Sequence, residues 1–109
     1  MPTTYKVLGQ VKPTAATNTN LYTVPASTQA VVSSLVVTNI TNDATTINIA
    51  VRPAGAAVED KHYLAFNNNL GGFSTRFYTL GITLGATDIV TVYDTTGKAS
   101  FNLFGSEIS

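Results

Sequence analysis

His62 is the sole histidine of the chain, and Glu59, Asp60 and Lys61 stand directly before it. An imidazole beside carboxylates is a ligand set for zinc or iron, and with no cysteine present such a site would have to come from these residue types alone. Neighbouring residues that lead into a strand alternate between its two faces and do not converge on one ion, so the Glu-Asp-Lys-His run reads as a solvated turn. Asp88 and Asp94 are the next candidates, since paired carboxylates a few ångströms apart share acid and base work in glycoside cleavage. They bracket an alternating segment and would stand about 20 Å apart at about 3.3 Å per residue, too far for that chemistry. Asp88 suits the turn Gly85-Ala86-Thr87-Asp88 better, where its carboxylate accepts from nearby backbone amides. Glu59 and Asp88, distant in sequence, form a pair only if the fold brings them together.

Gly97-Lys98-Ala99-Ser100 has the Gly-Lys of a phosphate-binding loop, but Val92 stands where the earlier glycine belongs, Ala99 follows the lysine, and a strand comes next. Asn39-Ile40-Thr41 satisfies the glycosylation sequon, a pattern expected by chance in a chain rich in Thr and Asn. Tyr22, Tyr63, Tyr78 and Tyr93, with a loop at Phe66-Asn67-Asn68-Asn69, are the residues that would stack on and bond a sugar ring; tyrosine fills sheet edges and interfaces just as well. No residue is assigned a catalytic, cofactor-binding or metal-binding role. The expectation is a protein without a cofactor that is not an enzyme.

The elements that would position these groups are strands. Glu, Lys, Leu and Ala never fall at i, i+3, i+4 and i+7, whereas Thr45 to Arg52 alternates, with Thr45, Ile47, Ile49 and Val51 on one face. In Ala30 to Ile40, Val31, Leu35 and Val37 point one way and Val32, Val36 and Ile40 the other, so both faces are expected to be covered. Thr41-Asn42-Asp43-Ala44 lies between these runs as turn chemistry, which makes Ala30 to Val51 an expected hairpin. Further strands are expected at Tyr5 to Val11, Leu21 to Val24, Tyr63 to Phe66, Phe73 to Leu80, Ile89 to Tyr93 and Ser100 to Phe104. About eight short antiparallel strands in one domain spanning 1–109 predict an all-β sandwich, jelly-roll-like, with an immunoglobulin-like order as the alternative.

Composition then turns from chemistry to association. Six Lys and Arg balance six Asp and Glu, and only 11% of the residues carry charge, so neither nucleic acid nor an anionic membrane is an expected partner. A charge so low and so balanced is weak protection against self-association. A long, Val-rich, uncharged strand is itself a template for pairing unless it is central or covered by another chain. Tyr22, Val32, Val36 and Tyr78 are therefore expected to contribute to an interface. Each is an amphipathic aromatic or lies opposite its strand's more obviously apolar face.

The phrases LYTVPASTQAVVSSLVVTN, IAVRPAGAA, KHYL, ITLGATDIVTVY and the terminal FNLFGSEIS are similar to those of small virion structural proteins of tailed bacteriophages, notably those of cyanobacterial hosts. Tyr22-Thr23-Val24-Pro25 resembles that family's strand ending in proline, and Gly105-Ser106-Glu107-Ile108 its chain terminus. The resemblance implies a subunit made in the host cytoplasm and built into the virion, as an assembly, decoration or cement protein on capsid, neck or tail. Its partners would be identical subunits and other virion proteins. The alternative is a receptor- or carbohydrate-binding sandwich of a virion appendage, with a host-surface glycan as ligand.

Overall fold

Runs of Val, Ile and Thr, cut by Pro-, Gly- and Asn-bearing turns, form eight strands in the computed structural model, which describes residues 2–109 apart from the side chain of Leu80. They are β1 (Thr3–Val11), β2 (Thr19–Thr23), β3 (Gln29–Asn39), β4 (Thr45–Arg52), β5 (Tyr63–Leu70), β6 (Thr75–Leu84), β7 (Ile89–Asp94) and β8 (Ala99–Ile108). One sheet has the order β1-β8-β3-β6 and the other β2-β7-β4-β5, and every pairing is antiparallel. Within this pattern β1 pairs β8, β2 pairs β7, β3 pairs β6 and β4 pairs β5, as if one long antiparallel ribbon had been wrapped into two layers. That is a jelly roll. The immunoglobulin-like alternative is excluded by β1 and β2, which lie in different sheets.

The core between the layers is centred on the four central strands, with Leu8, Leu21, Leu70 and Leu84 added from the edges. Phe101 and Leu103 of β8, Leu35 and Val37 of β3, Ile47 and Ile49 of β4, and Val90 and Val92 of β7 are all buried in one cluster. Two glycines let backbones approach where a side chain would not fit. A methyl group on Gly9 would stand 2.1 Å from the Leu21 carbonyl oxygen, where β1 of one sheet meets β2 of the other, and one on Gly105 would stand 2.1 Å from the Val31 carbonyl oxygen.

The expected hairpin from Ala30 to Val51 does not form: β3 and β4 belong to opposite sheets, each central in its own. The intervening Thr41–Ala44 segment is a corner. Asn39 fixes it, its Nδ2 donating to the Asp43 carbonyl at 2.7 Å while its Oδ1 accepts from the Thr41 backbone N–H at 2.9 Å and hydroxyl at 3.0 Å. The expected loop at Phe66–Asn69 is likewise strand, with Asn67 in the left-handed region (φ 51°) at a break in the β4–β5 register. β3 has its own break between Val32 and Ser34. The extra residue, Ser33, changes which parity faces inward: Ala30 and Val32 point into the core on one side of it, Leu35 and Val37 on the other.

Candidate interaction surface

Asp94, Asp88 and His62, singled out for chemistry, are each used by the fold. Asp94 is fully buried and accepts from the Thr45 hydroxyl and from the backbone N–H groups of Thr96 (3.1 Å), Lys98 (2.8 Å) and Ala99 (2.6 Å), closing the turn between β7 and β8. Asp88 accepts from the Gly85 N–H and the Ala54 N–H, both at 2.8 Å, and so ties the β6–β7 turn to the β4–β5 connection. These carboxylates serve opposite ends of β7 and do not form a pair. His62 is buried, not solvated as expected; its Nδ1 accepts from the Glu59 N–H at 3.1 Å, because a short 3₁₀ turn at Asp60–His62 folds the imidazole inward and leaves Glu59, Asp60 and Lys61 outside. No group of three His, Cys, Asp or Glu able to hold a metal occurs among the described residues.

The two sheets differ on their outward sides. On β2-β7-β4-β5, the outward-facing Ala50 and Thr91 are each only 2% exposed and Asn48 is also buried. Tyr93 lies opposite Asn48 and Tyr63 opposite Ala50, and the two short turns of the Pro53–His62 connection lie against β7 and β4. This side is covered by its own chain.

On β1-β8-β3-β6, nothing among the described residues lies in that position. Register places the outward residues in rows across the sheet: Tyr5, Ser106, Val31 and Thr83; then Val7, Phe104, Ser34 and Thr79; then Gln10, Asn102, Val36 and Phe77; then Ser100, Thr38 and Thr75. Tyr5 is 84% exposed, Phe77 72% and Val7 46%, while Val31, Phe104 and Val36 are half-buried and Ser106 buried by their neighbours. None of the chain's twelve charged side chains sits in these rows. Lys6, Arg76 and Glu107 belong to the alternating inward positions. A face of aromatic and branched side chains among Ser, Thr, Asn and Gln is desolvated at small electrostatic cost, which suits docking and not catalysis.

Of the four residues expected at an interface, only Val36 is on this face. Val32 is enclosed in the core, because Ser33 shifts the strand's parity, so it has no outward surface to contribute. Tyr22 is buried between the layers, its hydroxyl donating to Glu107 Oε2 at 2.5 Å. Burial first, and then Glu107, pushes the Tyr22 phenol above the ordinary tyrosine range. The Tyr22 hydrogen bond, and then Lys6 at 3.2 Å, holds the Glu107 carboxyl below the ordinary carboxylate value against the opposing effect of its own desolvation. Tyr78 faces inward at the β6 edge, its hydroxyl accepting from Asn68 Nδ2 of the other sheet at 2.9 Å. Tyr22 and Tyr78 therefore lace the layers together. The sequence reading missed Tyr5, Val7, Val31 and Phe77; the alternation of Tyr5 and Val7 with Lys6 was the signal available for the first two.

An opening of about 430 Å³ is lined by Asp60, Tyr63 and Phe66. The two rings meet edge to face, centroids 4.8 Å apart and planes at 64°. That geometry packs one ring against the other and does not make a flat stacking platform. Compared with known proteins, the chain matches no family model, and no curated protein matches it. No helix is long and apolar enough to cross a membrane among the described residues.

Proposed function

We propose that this chain is a non-enzymatic structural subunit of a bacteriophage particle, an assembly, decoration or cement protein that acts by docking the uncharged outer face of β1-β8-β3-β6. The observation that carries the reading is that face: a charge-free sheet surface with exposed Tyr5, Val7 and Phe77 among small polar residues, left bare where Ala50 and Thr91 of the other sheet are enclosed. The jelly roll adds support at the level of fold, since viral capsid domains use it, as lectins do. The phrases that resemble phage virion proteins point the same way. The test is incorporation: phage particles assembled with Val36→Asp in this chain should lack it, while the variant alone stays folded by circular dichroism. Particles that carry Val36→Asp at wild-type copy number would sink the proposal.

The carbohydrate-binding alternative draws on one observation, the Asp60, Tyr63 and Phe66 opening. Retention on immobilised host glycans that is lost in Phe66→Ala and kept in Val36→Asp would favour it over docking.

A further inference from the structure

The bare face has a pattern of its own, and from it we infer that the surface docks on the same face of a second copy, about a twofold axis running along the strands between β8 and β3. This rests on the docking role proposed above and names the partner. Such an axis lays β8 of one copy over β3 of the other and β1 over β6, with each row facing itself reversed. Phe104 then meets Ser34, and Val31 meets Ser106. At the margins Tyr5 meets Thr83, Val7 meets Thr79, and Phe77 meets Gln10. Each of these apolar side chains falls over a small or uncharged polar one, the interdigitation that two packed sheets require.

Three further features single out a second copy. A face that carries charge brings like charges together when it meets itself, and this one carries none. Four strands at about 4.8 Å spacing, over eight residues at about 3.3 Å, give about 500 Å² per copy or about 1,000 Å² for the pair before side-chain relief is added, which reaches the range of a specific interface. Association by strand addition at an edge is opposed, because all four edge strands are interrupted in register. The breaks lie between Val7 and Gly9 in β1, between Asn20 and Tyr22 in β2, at Asn67 in β5, and at the residues of β6 opposite Ser33. The face is what remains for pairing.

The test is sedimentation equilibrium on the full chain, with a charge swap. The wild type should show a concentration-dependent species of twice the 11.5 kDa monomer. Val7→Glu alone and Thr79→Lys alone should each raise the dissociation constant about tenfold or more, with circular dichroism unchanged, by setting a charge against an uncharged surface. The double variant should return to within about threefold of wild type, because the introduced carboxylate of each copy then faces the introduced ammonium of the other, while within one copy the two positions lie on opposite edge strands. A wild type monomeric at every concentration overturns the inference, as does a dimer indifferent to Val7→Glu or a double variant that fails to recover. A monomeric wild type whose Val36→Asp form is still lost from particles leaves the docking role standing with a different partner. A dimer that behaves as described, with Val36→Asp retained in particles, has the opposite meaning.

Discussion

The outward side of β2-β7-β4-β5 and that of β1-β8-β3-β6 both mix Thr, Asn and Tyr with small apolar residues, and they end in opposite states. Thr91 on the first is 2% exposed; Thr79 on the second is exposed. Part of the difference is position, since β7 is central and β6 an edge strand; the rest is local packing, with Thr91 donating to Asn20 and the Pro53–His62 connection, tied to Asp88, running beside the ends of β7 and β4, while no described segment lies against the second face. Apolar sheet surface is tolerated when something covers it, and in this protein the chain supplies the cover once. Solvent-facing polarity in a strand therefore says little about whether that position is free.

A matched pair of substitutions tests the contrast at its strongest. Thr91→Lys should destabilise the fold by about 3 kcal/mol or more in urea unfolding, because an ammonium would be enclosed with no carboxylate partner. A loss below about 1 kcal/mol would mean that the Pro53–His62 connection lifts away readily and that the two faces are less different than they look. His62→Ala comes next. It removes the acceptor of the Glu59 N–H and a buried ring from the cover, and about 1–2 kcal/mol should go with it. The accompanying sign is faster amide exchange in Asp60–Tyr63; protection unchanged there would show that the imidazole does not hold the cover.

Tyr22→Phe probes the tie between the layers, with an expected loss of about 1 kcal/mol at neutral pH. Its pH dependence has two limbs. The Glu107 carboxyl is held below its ordinary value of 4.5, so its contribution is present above that pH and is lost as pH falls through the lower folded value. The Tyr22 phenol is raised from 10.0, so its contribution is present below that pH and is lost as pH climbs. Stability profiles of wild type and Tyr22→Phe should converge at both extremes; parallel profiles would contradict the assignment. The smallest effect belongs to the bare face: Thr79→Lys should change monomer stability by less than about 0.5 kcal/mol, measured below the dissociation concentration. A loss comparable to that of Thr91→Lys would dissolve the comparison.

Much of the fold was legible in the chain. Each of the eight strands overlaps a segment that alternation and turn residues mark, and Thr45 to Arg52 agrees with β4 to the residue, but β5, β6 and β8 each run four residues past the ends expected at Phe66, Leu80 and Phe104. Jelly-roll order was legible as a class and not as a sequence of pairings, because Thr41–Ala44 reads the same whether it closes a hairpin or turns a corner. The surface was harder. Val31 and Val32 are indistinguishable by type, and what decides that one is outward and the other enclosed is a single extra residue at Ser33, visible only against the partner strands β6 and β8. Tyr22 and Tyr78 were marked as amphipathic aromatics, which they are, but their hydroxyls find partners across the layers.

The nesting of β1 with β8 around β4 with β5 also sets an order in time. β4 and β5 close the shortest loop among the four ribbon pairs, and each pair outside them encloses everything already formed, so zipping outward from that hairpin leaves only short connectors to order at each step. β8 is the strand that joins β1 to β3, and it is made after both. During synthesis one layer can therefore assemble early, while Leu35 and Val37 wait for Leu103 and Phe101 until the last strand has left the ribosome.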